Sequence, residues 1–382
     1  MDALIIGCGF AGATVANKLA KQNKKVKIIE KRNHIGGNCY DCEDEFGILV
    51  HQYGPHIFHT NSDEVYDFLS EYTDWYDYSH EVVGNVYGKI IPIPFNLNTL
   101  NIVFGEEKGN ALKKELIDTY GMNARVPILE LQKSESEGIQ EVAAYVYENI
   151  FLKYTMKQWN QKPEEVDKSV TARVPVLMSY DNRYFQDKYQ GMPLDGYTKV
   201  FERMLDHPNI DIELDVDAKD RLKFDFENNK IYFDNEEFDG PIIFTGAIDE
   251  LFDCKLGRLP YRSLEFKFEH YNQEYFQPKG VVNYTVSEDY TRITEFKYLT
   301  GQVCDHTTII KEYPKKYEDS SSQVPYYAIL SDENKAMHNQ YVELVKPFKN
   351  FHLLGRLAQY RYYNIDGIVL EALSLVKQLG GE

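Results

Sequence analysis

The chain has 382 residues, 43% of them hydrophobic, and a formal net charge of −18. This length predicts two or three domains around a large core. The acidity argues against nucleic acid and anionic membrane surfaces as partners, because both require a basic face. No apolar run approaches the ~18 residues of a membrane span, and Met1-Asp2 leads into the first predicted strand without a basic leader. We expect a cytoplasmic protein without membrane insertion.

The first 30 residues carry a dinucleotide-binding signature. Two short apolar runs, 3–6 and 26–29, predict strands, and Glu30 ends the second. In such a signature the first glycine permits a tight turn, the second lets a pyrophosphate approach, and the third lets the helix pack on the sheet. Glu30 can accept a hydrogen bond from a ribose hydroxyl, and the helix N-terminus favours phosphate. The residues between the two strands that form this motif are Gly7, Gly9, Phe10, Ala11 and Gly12.

Two further segments favour FAD over NAD. Gly36-Gly37-Asn38 follows Glu30 closely, which is typical of FAD proteins of the glutathione-reductase type. Near the other end, an apolar run leads into Gly355-Arg356 and a helix-like stretch, 368–379. A late strand, a glycine and a helix N-terminus complete the flavin site in such proteins. The sequence therefore predicts bound FAD.

Between these segments the hydrophobic pattern changes several times. We predict a helix at 64–69 capped by Ser62 or Asp63, strands within 82–93 broken at Gly88, and several short helices across 99–159. The remaining predicted elements are an irregular stretch at 180–193, an amphipathic helix at 196–205, strands over 210–244, an antiparallel sheet over 262–311 and a charged loop at 315–323.

These elements predict an α/β protein with a discontinuous FAD-binding, Rossmann-like domain of the glutathione-reductase type. A helical domain and an antiparallel β-sheet domain are inserted into it. We assign residues 1–62, 194–262 and 338–382 to the FAD-binding domain, 63–80 and 98–180 to the helical insert, and 81–97, 181–193 and 263–337 to the sheet domain.

The five cysteines are scattered and odd in number, which predicts reduced thiols. Cys39 and Cys42 form C-x-x-C, which is compatible with a redox dithiol beside the flavin, half of a zinc site, or coincidence. A zinc site lacks a second ligand pair at suitable spacing, and a dithiol lacks the usual helix N-terminus. We favour coincidence and predict no metal.

Over nearly its whole length the chain resembles one flavoprotein family, the bacterial UDP-galactopyranose mutases. Two strings carry most of the resemblance: Tyr53-Gly54-Pro55-His56-Ile57-Phe58-His59-Thr60, and the segment from Asp181 to Pro193. Shorter matching segments are Ile28 to Asn38, Tyr154 to Trp159, Arg173-Val174-Pro175, Gly196-Tyr197-Thr198-Lys199, Tyr290 to Ile293, and Gly355-Arg356-Leu357.

This resemblance implies an isomerase that interconverts UDP-galactopyranose and UDP-galactofuranose. In the family, the N5 atom of reduced FAD attacks the anomeric carbon, and the ring opens through a flavin iminium and re-closes with no net redox change. The implied partners are the two nucleotide sugars, an external reductant for FAD and a second copy of the chain in a homodimer. The implied role is the supply of galactofuranose for cell-surface glycans.

The resemblance also assigns roles to individual residues. Arg173 and Arg292 would be catalytic residues that hold the diphosphate, since the guanidinium fork suits phosphate oxygens. Arg173 would lie in a mobile lid that covers residues 163–180 of the helical insert. His56 and His59 would also be catalytic residues, in a histidine-containing loop that runs alongside the flavin. The remaining implied substrate-binding residues are Tyr154, Thr155, Trp159, Tyr184, Asn283, Tyr327, Tyr362 and Asn364, and the implied cofactor-binding residues add Lys31, His56, Ile57, Gly246, Arg356, Tyr362 and Ile365 to the motifs above.

The chain departs from the family pattern at two informative positions. Asn364 stands where the family has an acid, and Ile150 stands where an aromatic uridine contact often lies. Asn364 leaves open a mutase that acts on another nucleotide sugar, such as UDP-N-acetylgalactosamine. Two other classes share the glycine motifs: an FAD oxidoreductase of the amine-oxidase type, and a non-enzymatic binding protein like the GDP-dissociation inhibitors. The oxidoreductase does not explain the paired arginines or the segment from Tyr184 to Pro193, and the binding protein predicts no bound flavin.

Overall fold

The computed structural model describes residues 1–159, 175–318 and 322–380. The chain divides into two compact units. The first unit comprises Met1–Asp77, Asp187–Ser263 and Lys316–Glu382, and the second comprises Tyr78–Gln186 and Leu264–Lys315. The three segments assigned to the FAD-binding domain all fall within the first unit. The further division of the rest into a helical insert and a sheet domain stays a prediction.

The described residues form short strands, most of them three to five residues long. In chain order they are β1 (Ala3–Ile6), β2 (Val26–Ile29), β3 (Asp41–Glu43), β4 (Leu49–His51), β5 (Phe58–Thr60), β6 (Trp75–Tyr76), β7 (Val82–Val86), β8 (Lys89–Ile93), β9 (Arg125–Pro127), β10 (Pro175–Leu177), β11 (Tyr189–Pro193), β12 (Ile210–Glu213), β13 (Leu222–Asp225), β14 (Lys230–Phe233), β15 (Glu236–Glu237), β16 (Ile242–Phe244), β17 (Tyr261–Tyr271), β18 (Val281–Tyr284), β19 (Arg292–Glu295), β20 (Thr307–Lys316), β21 (Tyr327–Ala328) and β22 (Phe351–Leu353).

The helices are short and lie between the strands in sequence. In chain order they are α1 (Phe10–Lys21), α2 (Asp63–Ser70), α3 (Leu97–Phe104), α4 (Glu106–Tyr120), α5 (Ile128–Leu131), α6 (Glu137–Val146), α7 (Lys153–Trp159), α8 (Tyr197–Leu205), α9 (Ala218–Arg221), α10 (Ile248–Leu251), α11 (Phe296–Thr300), α12 (Asp332–Val345) and α13 (Ile365–Gln378). A single 3-10 turn covers Gly37–Cys39, and a widened helical turn covers Tyr147–Leu152. None of the described helices is long and apolar enough to cross a membrane.

The first unit is built on a five-stranded parallel sheet in the order β12-β2-β1-β16-β22. Every residue of the central strand β1 is buried, which explains why it is a continuous apolar run rather than an alternating one. In the register, Ile5 lies opposite both Ile28 and Ile243. Helices α1 and α13 pack on each other. Residues from three distant parts of the chain therefore form one sheet, as the sequence predicted for the FAD-binding domain.

The second unit contains antiparallel strands and a helical layer. Its sheet has the order β17-β20-β19-β18-β7-β8, and β18 pairs with β7 in parallel. Apolar side chains from β7, β8 and the helices α3 to α6 form one buried cluster, which includes Phe95, Leu112 and Val142. Ile150 belongs to this cluster and is 4% exposed. Ile150 is therefore a core residue of this unit, and its effect on a uridine contact stays a prediction.

Most predicted elements are confirmed, with three corrections. Residues 180–193 are not irregular throughout, because β11 occupies Tyr189–Pro193 and pairs with β5 and β6. Part of the predicted lid, Pro175–Leu177, is strand β10, paired with β9. The predicted sheet over 262–311 also contains the helix α11. The two strand corrections have the same reason, since these short segments take their conformation from partners distant in the sequence.

Candidate functional site

The turn between β1 and α1 forms one wall of a cavity. No side chain caps the start of α1 at Gly9, so the helix N-terminus presents backbone N–H groups and its positive dipole end. Gly7 has φ of +102°, and a Cβ there would collide with Thr245. A Cβ on Gly12 would collide with the Gly7 carbonyl oxygen. Glycine is therefore required at these positions by sterics, as the motif predicted.

The cavity has a volume of about 920 Å³ and lies at the carboxyl ends of β1, β2 and β16. Ligands of open α/β sheets bind in this position, and the volume is at the upper end of ligand sites. The predicted residues that line the cavity are Gly7, Gly9, Phe10, Ala11, Glu30, Lys31, Gly36, Gly37, Asn38, His56, Gly246, Gly355, Arg356, Asn364 and Ile365. Gly12, Ile57, His59 and Tyr362 lie outside this lining.

Glu30 is held rigidly at the edge of the cavity. Its Oε2 accepts a hydrogen bond from the Cys8 backbone N–H at 2.8 Å, and its Oε1 accepts one from the Arg32 backbone N–H at 2.9 Å. Each carboxylate oxygen has a second lone pair. The carboxylate can therefore accept a ribose hydroxyl while it remains anchored to the backbone.

Arg32 is a site residue that the sequence reasoning missed. It lines the cavity, its Nη2 donates to Asn38 Oδ1 at 2.8 Å, and its guanidinium lies 4.2 Å from the Tyr53 ring centre. Its Nη1 is buried and has no hydrogen-bond partner among the described residues. The signal was its place two residues after Glu30, inside the matched motif.

The second glycine pair brings the backbone close to the first glycine turn. Gly36 and Gly37 both have positive φ, +92° and +57°. A Cβ on Gly37 would lie 3.0 Å from the Gly9 Cα. The Gly36 N–H donates to the Cys8 carbonyl oxygen at 2.9 Å. The two glycine motifs therefore form one cradle, and side chains here would fill the space that a pyrophosphate needs.

The late segment forms another part of the cavity. The Arg356 Nε donates to the Tyr363 carbonyl oxygen at 2.6 Å, and the guanidinium lies 4.7 Å from the Tyr362 ring centre. Asn364 precedes α13 as its N-cap residue, but its side chain makes no capping bond. The N-terminus of α13 and the Arg356 cation both favour negative charge in the cavity. The glycine cradle, the unpaired Arg32 nitrogen and these positive groups together fit FAD.

The two predicted histidines occupy different environments. His56 lines the cavity, and its Nδ1 donates to the Gly54 carbonyl oxygen at 2.9 Å. His59 is 8% exposed, and its Nδ1 lies 2.9 Å from Asp187 Oδ2. Asn61 donates to the other oxygen of Asp187 at 2.6 Å. His56 therefore lies at the cavity. His59, three residues later, instead lies in a hydrogen-bonded group with Asp187 and Asn61.

The cysteines do not form a reactive site. Cys39 is 8% exposed, and burial raises the pKa of its thiol to about 12. A thiol with such a pKa is protonated at neutral pH and a poor nucleophile. No group of three or more His, Cys, Asp and Glu side chains in the described ranges is arranged to bind a metal. The raised pKa makes Cys39 a poor attacking thiol, and coincidence as the reason for the C-x-x-C spacing stays a prediction.

Two predicted substrate-binding residues of the first unit lie close together. The rings of Tyr327 and Tyr362 stack with centres 6.4 Å apart and planes inclined by 18°. Tyr362 also contacts the Arg356 guanidinium described above. Tyrosines combine a flat apolar face with a hydroxyl, which suits sugars and phosphates. The stack connects a predicted substrate contact to a residue of the cofactor cavity.

In the second unit, Asn283 and Arg292 lie opposite each other on β18 and β19. Arg292 Nε is 3.2 Å from Glu312 Oε2. Tyr184 contacts Phe185 edge to face, with ring centres 4.9 Å apart, and its N–H donates to the His80 carbonyl oxygen. Thr155 is 5% exposed on α7, beside Tyr154. Arg173 lies outside the described residues, and Trp159 is described only as the last residue of α7.

A family model described as UDP-galactopyranose mutase matches residues 149–362. A model described as an NAD(P)-binding Rossmann-like domain matches residues 5–72. The first match covers over half of the chain and contains most of the predicted substrate-binding residues. The second covers β1, α1, β2 and the glycine cradle.

Curated relatives align with the chain over nearly its full length. A dTDP-fucopyranose mutase of Escherichia coli is 37% identical over 97% of this chain and 96% of its own. A UDP-galactopyranose mutase of Mycoplasma genitalium is 35% identical over 99% of this chain and 94% of its own. A crystal structure of reduced UDP-galactopyranose mutase superposes with a TM-score of 0.71 at 16% identity, covering 99% of this chain and 95% of that one.

Proposed function

Because this chain belongs to the UDP-galactopyranose mutase family, we propose that it is an isomerase that interconverts UDP-galactopyranose and UDP-galactofuranose. FAD is the cofactor. The observation that carries the proposal is the family match over residues 149–362. This segment contains Tyr154, Tyr184, Arg292 and Tyr327, which the resemblance assigns to the substrate.

The chain's own residues provide a complete cofactor site. The glycine cradle and the N-terminus of α1 bind the pyrophosphate, and Glu30 accepts the ribose hydroxyl. Arg32 would supply its buried Nη1 to an acceptor oxygen of the cofactor. Arg356 and the N-terminus of α13 would favour negative charge on the bound cofactor. When bound and reduced, FAD supplies the nucleophile for the anomeric carbon, so the sugar isomerises without net oxidation.

The leaving group determines what the substrate residues must do. A nucleoside diphosphate carries about two negative charges and must stay bound while the glycosidic bond is broken and remade. Arg173 and Arg292 would hold these charges, since guanidinium groups donate two parallel hydrogen bonds to phosphate oxygens. Tyr184, Tyr327 and Tyr362 would add hydroxyl donors. Tyr154 would stack on uracil, with Thr155 beside it, and Trp159 would border the sugar.

A second substrate has specific support. The relative from Escherichia coli at 37% identity is a dTDP-fucopyranose mutase, and Asn364 replaces the acid expected from the resemblance. dTDP-fucopyranose differs from UDP-galactopyranose in the base, in the missing 2′-hydroxyl of the nucleoside and in the missing 6-hydroxyl of the hexose. We therefore include it as the alternative substrate, together with UDP-N-acetylgalactosamine.

The test uses purified protein reduced with dithionite under nitrogen. Conversion of UDP-galactofuranose to UDP-galactopyranose is followed by ion-exchange chromatography, with the oxidised protein as control. Conversion by the reduced protein alone supports the proposal. Faster turnover of a dTDP-6-deoxy sugar or of the acetylated sugar identifies a different substrate. Oxygen consumption with substrate-driven flavin reduction identifies an oxidoreductase instead.

Four further features belong to this proposal. We infer a homodimer, an external reductant for FAD, a lid formed by residues 163–180 and a role in supplying galactofuranose to surface glycans, all supported by family membership alone. A cytoplasmic location is supported by the five cysteines, none of which forms a disulfide. Light scattering of the flavin-loaded protein tests the dimer directly.

A further inference from the structure

Three polar residues lie side by side across the sheet of the second unit. Arg292 on β19 is directly opposite Asn283 on β18 and directly opposite Glu312 on β20. Directly opposite residues of neighbouring strands point to the same face of a sheet. The three side chains therefore form one row, which we call the polar row. Sequence reasoning identified Asn283 and Arg292 but not Glu312.

The contact between Arg292 and Glu312 is largely shielded from water. Glu312 Oε2 lies 3.2 Å from Arg292 Nε, and the two side chains are 3% and 22% exposed. Burial raises the pKa of Glu312, and the nearby Arg292 cation opposes that rise. Electrostatic interactions in such an environment are stronger than at the surface. This ion pair therefore restricts the guanidinium more than an exposed pair would.

The point of contact determines what Glu312 can do. Nε is the guanidinium nitrogen nearest the backbone, and the guanidinium is planar. Oε2 meets Nε as an ion pair and not with hydrogen-bond geometry, so its attraction holds the guanidinium beside Glu312 and restricts the plane in which the two terminal nitrogens lie. Bidentate recognition of phosphate depends on that plane, because two parallel hydrogen bonds must form together.

Two other oxygens of the row are buried without a hydrogen-bond partner in the described part of the chain. Glu312 Oε1 and Asn283 Oδ1 are buried and have no hydrogen-bond partner among the described residues. The residue opposite Asn283 on β7 is Gly84, which has no side chain to supply one. Buried acceptors without partners are rare in folded proteins and call for a reason. For the Glu312 carboxylate, the ion pair with Arg292 supplies that reason, since the charge contact at Oε2 is what holds the buried group in place.

We propose that Glu312 is a positioning residue that orients the Arg292 guanidinium for the diphosphate of the substrate. The proposal rests on the proposed function only in the assignment of Arg292 to the diphosphate. Glu312 itself touches no reacting atom. Its contribution is to order the flexible Arg292 side chain before the substrate binds. Less conformational entropy is then lost on binding.

The experiment compares UDP affinity and steady-state kinetics in the flavin-loaded protein. Arg292→Ala is expected to weaken UDP binding roughly 10- to 100-fold, the range of lost charge-assisted hydrogen bonds. Glu312→Ala is expected to weaken it about tenfold and to raise KM for the nucleotide sugar more than it lowers kcat. Glu312→Gln keeps the size of the side chain but removes the charge of the ion pair, and is expected to weaken UDP binding nearly as much as Glu312→Ala.

Glu295→Ala is the matched control. Glu295 lies on the same strand as Arg292, three residues away and on the opposite face, and is fully buried. Its carboxylate accepts from the Phe276 and Gln277 N–H groups at 2.9 and 3.0 Å. Its removal is expected to lower the free energy of unfolding without changing UDP affinity. Equal losses of UDP affinity in Glu312→Ala and Glu295→Ala would show that Glu312 is merely structural and would overturn the proposal.

The remaining outcomes separate this inference from the proposed function. Unchanged UDP affinity in Glu312→Ala, beside a loss in Arg292→Ala, overturns the inference alone. A Glu312→Gln protein with the UDP affinity of the wild type also overturns it, because the charge of Glu312 would then not be needed to hold the guanidinium. If the wild type shows no mutase turnover but both variants weaken UDP binding, the inference stands and the proposed reaction fails. Unchanged binding in Arg292→Ala overturns both residue assignments.

Discussion

A buried histidine beside the cofactor cavity makes the stability of this protein depend on pH. His51 ends β4, is 1% exposed and accepts the His56 N–H through Nδ1 at 3.1 Å. Burial lowers its pKa from 6.5 to about 4. Below the unfolded pKa, the unfolded chain binds a proton that the folded protein excludes. Stability present above pH 6.5 is therefore lost as pH falls towards the folded pKa.

The size of this effect follows from the two pKa values. Each unit of pKa difference corresponds to about 1.4 kcal/mol. Between pH 7 and pH 5 we expect His51 to remove about 2 kcal/mol from the free energy of unfolding. The substitution His51→Asn keeps an acceptor near the position of Nδ1 but does not titrate. The difference in stability between wild type and variant should therefore shrink by the same amount over this range.

Urea unfolding at pH 7, 6 and 5, with FAD at constant excess, measures that difference. Other titrating groups cancel because they are common to both proteins. His207→Asn is the control, since that ring also accepts a backbone N–H through Nδ1, at 3.1 Å, but is only half-buried. A difference between wild type and His51→Asn that does not change with pH would refute the reasoning.

Two other substitutions test structural roles, and a third tests the charge at the cofactor cavity. Asp41→Ala removes the carboxylate that accepts the Tyr197 and Thr198 N–H groups at the start of α8. We expect the free energy of unfolding in urea to fall by about 2–3 kcal/mol. A decrease no larger than that caused by an exposed substitution contradicts this expectation. Lys297→Met leaves three backbone carbonyls without their buried ammonium donor and should lower the free energy of unfolding by about 3 kcal/mol, with faster hydrogen exchange in residues 301–306. Asn364→Asp adds negative charge at the cavity and should lower the flavin midpoint potential in a dye titration, because it disfavours the electron-rich reduced form; an unchanged midpoint places Asn364 away from the flavin.

The cofactor site could be predicted from the sequence because the residues of its main motif are close together in the chain. The glycine turn, the following helix and Glu30 lie within 30 consecutive residues, and Gly7 and Gly12 are required by a backbone angle or a close approach. Such constraints act between near neighbours in the chain, so a motif records them. The strand, helix and capping residue at Ser62 were predictable for the same reason, since Ser62 accepts the Val65 N–H only three residues away.

The partners of the site residues depended instead on the folded chain. Asp41 caps α8 through Thr198, 157 positions away, although each residue looks unremarkable in its own segment. Glu312 faces Arg292 because of the register between β19 and β20, and shifting that register by one residue would turn the two side chains to opposite faces. Periodicity predicts that these strands exist, but it carries no information on which residues become opposite. Only the packed sheet decides that, because strand pairing is a long-range interaction.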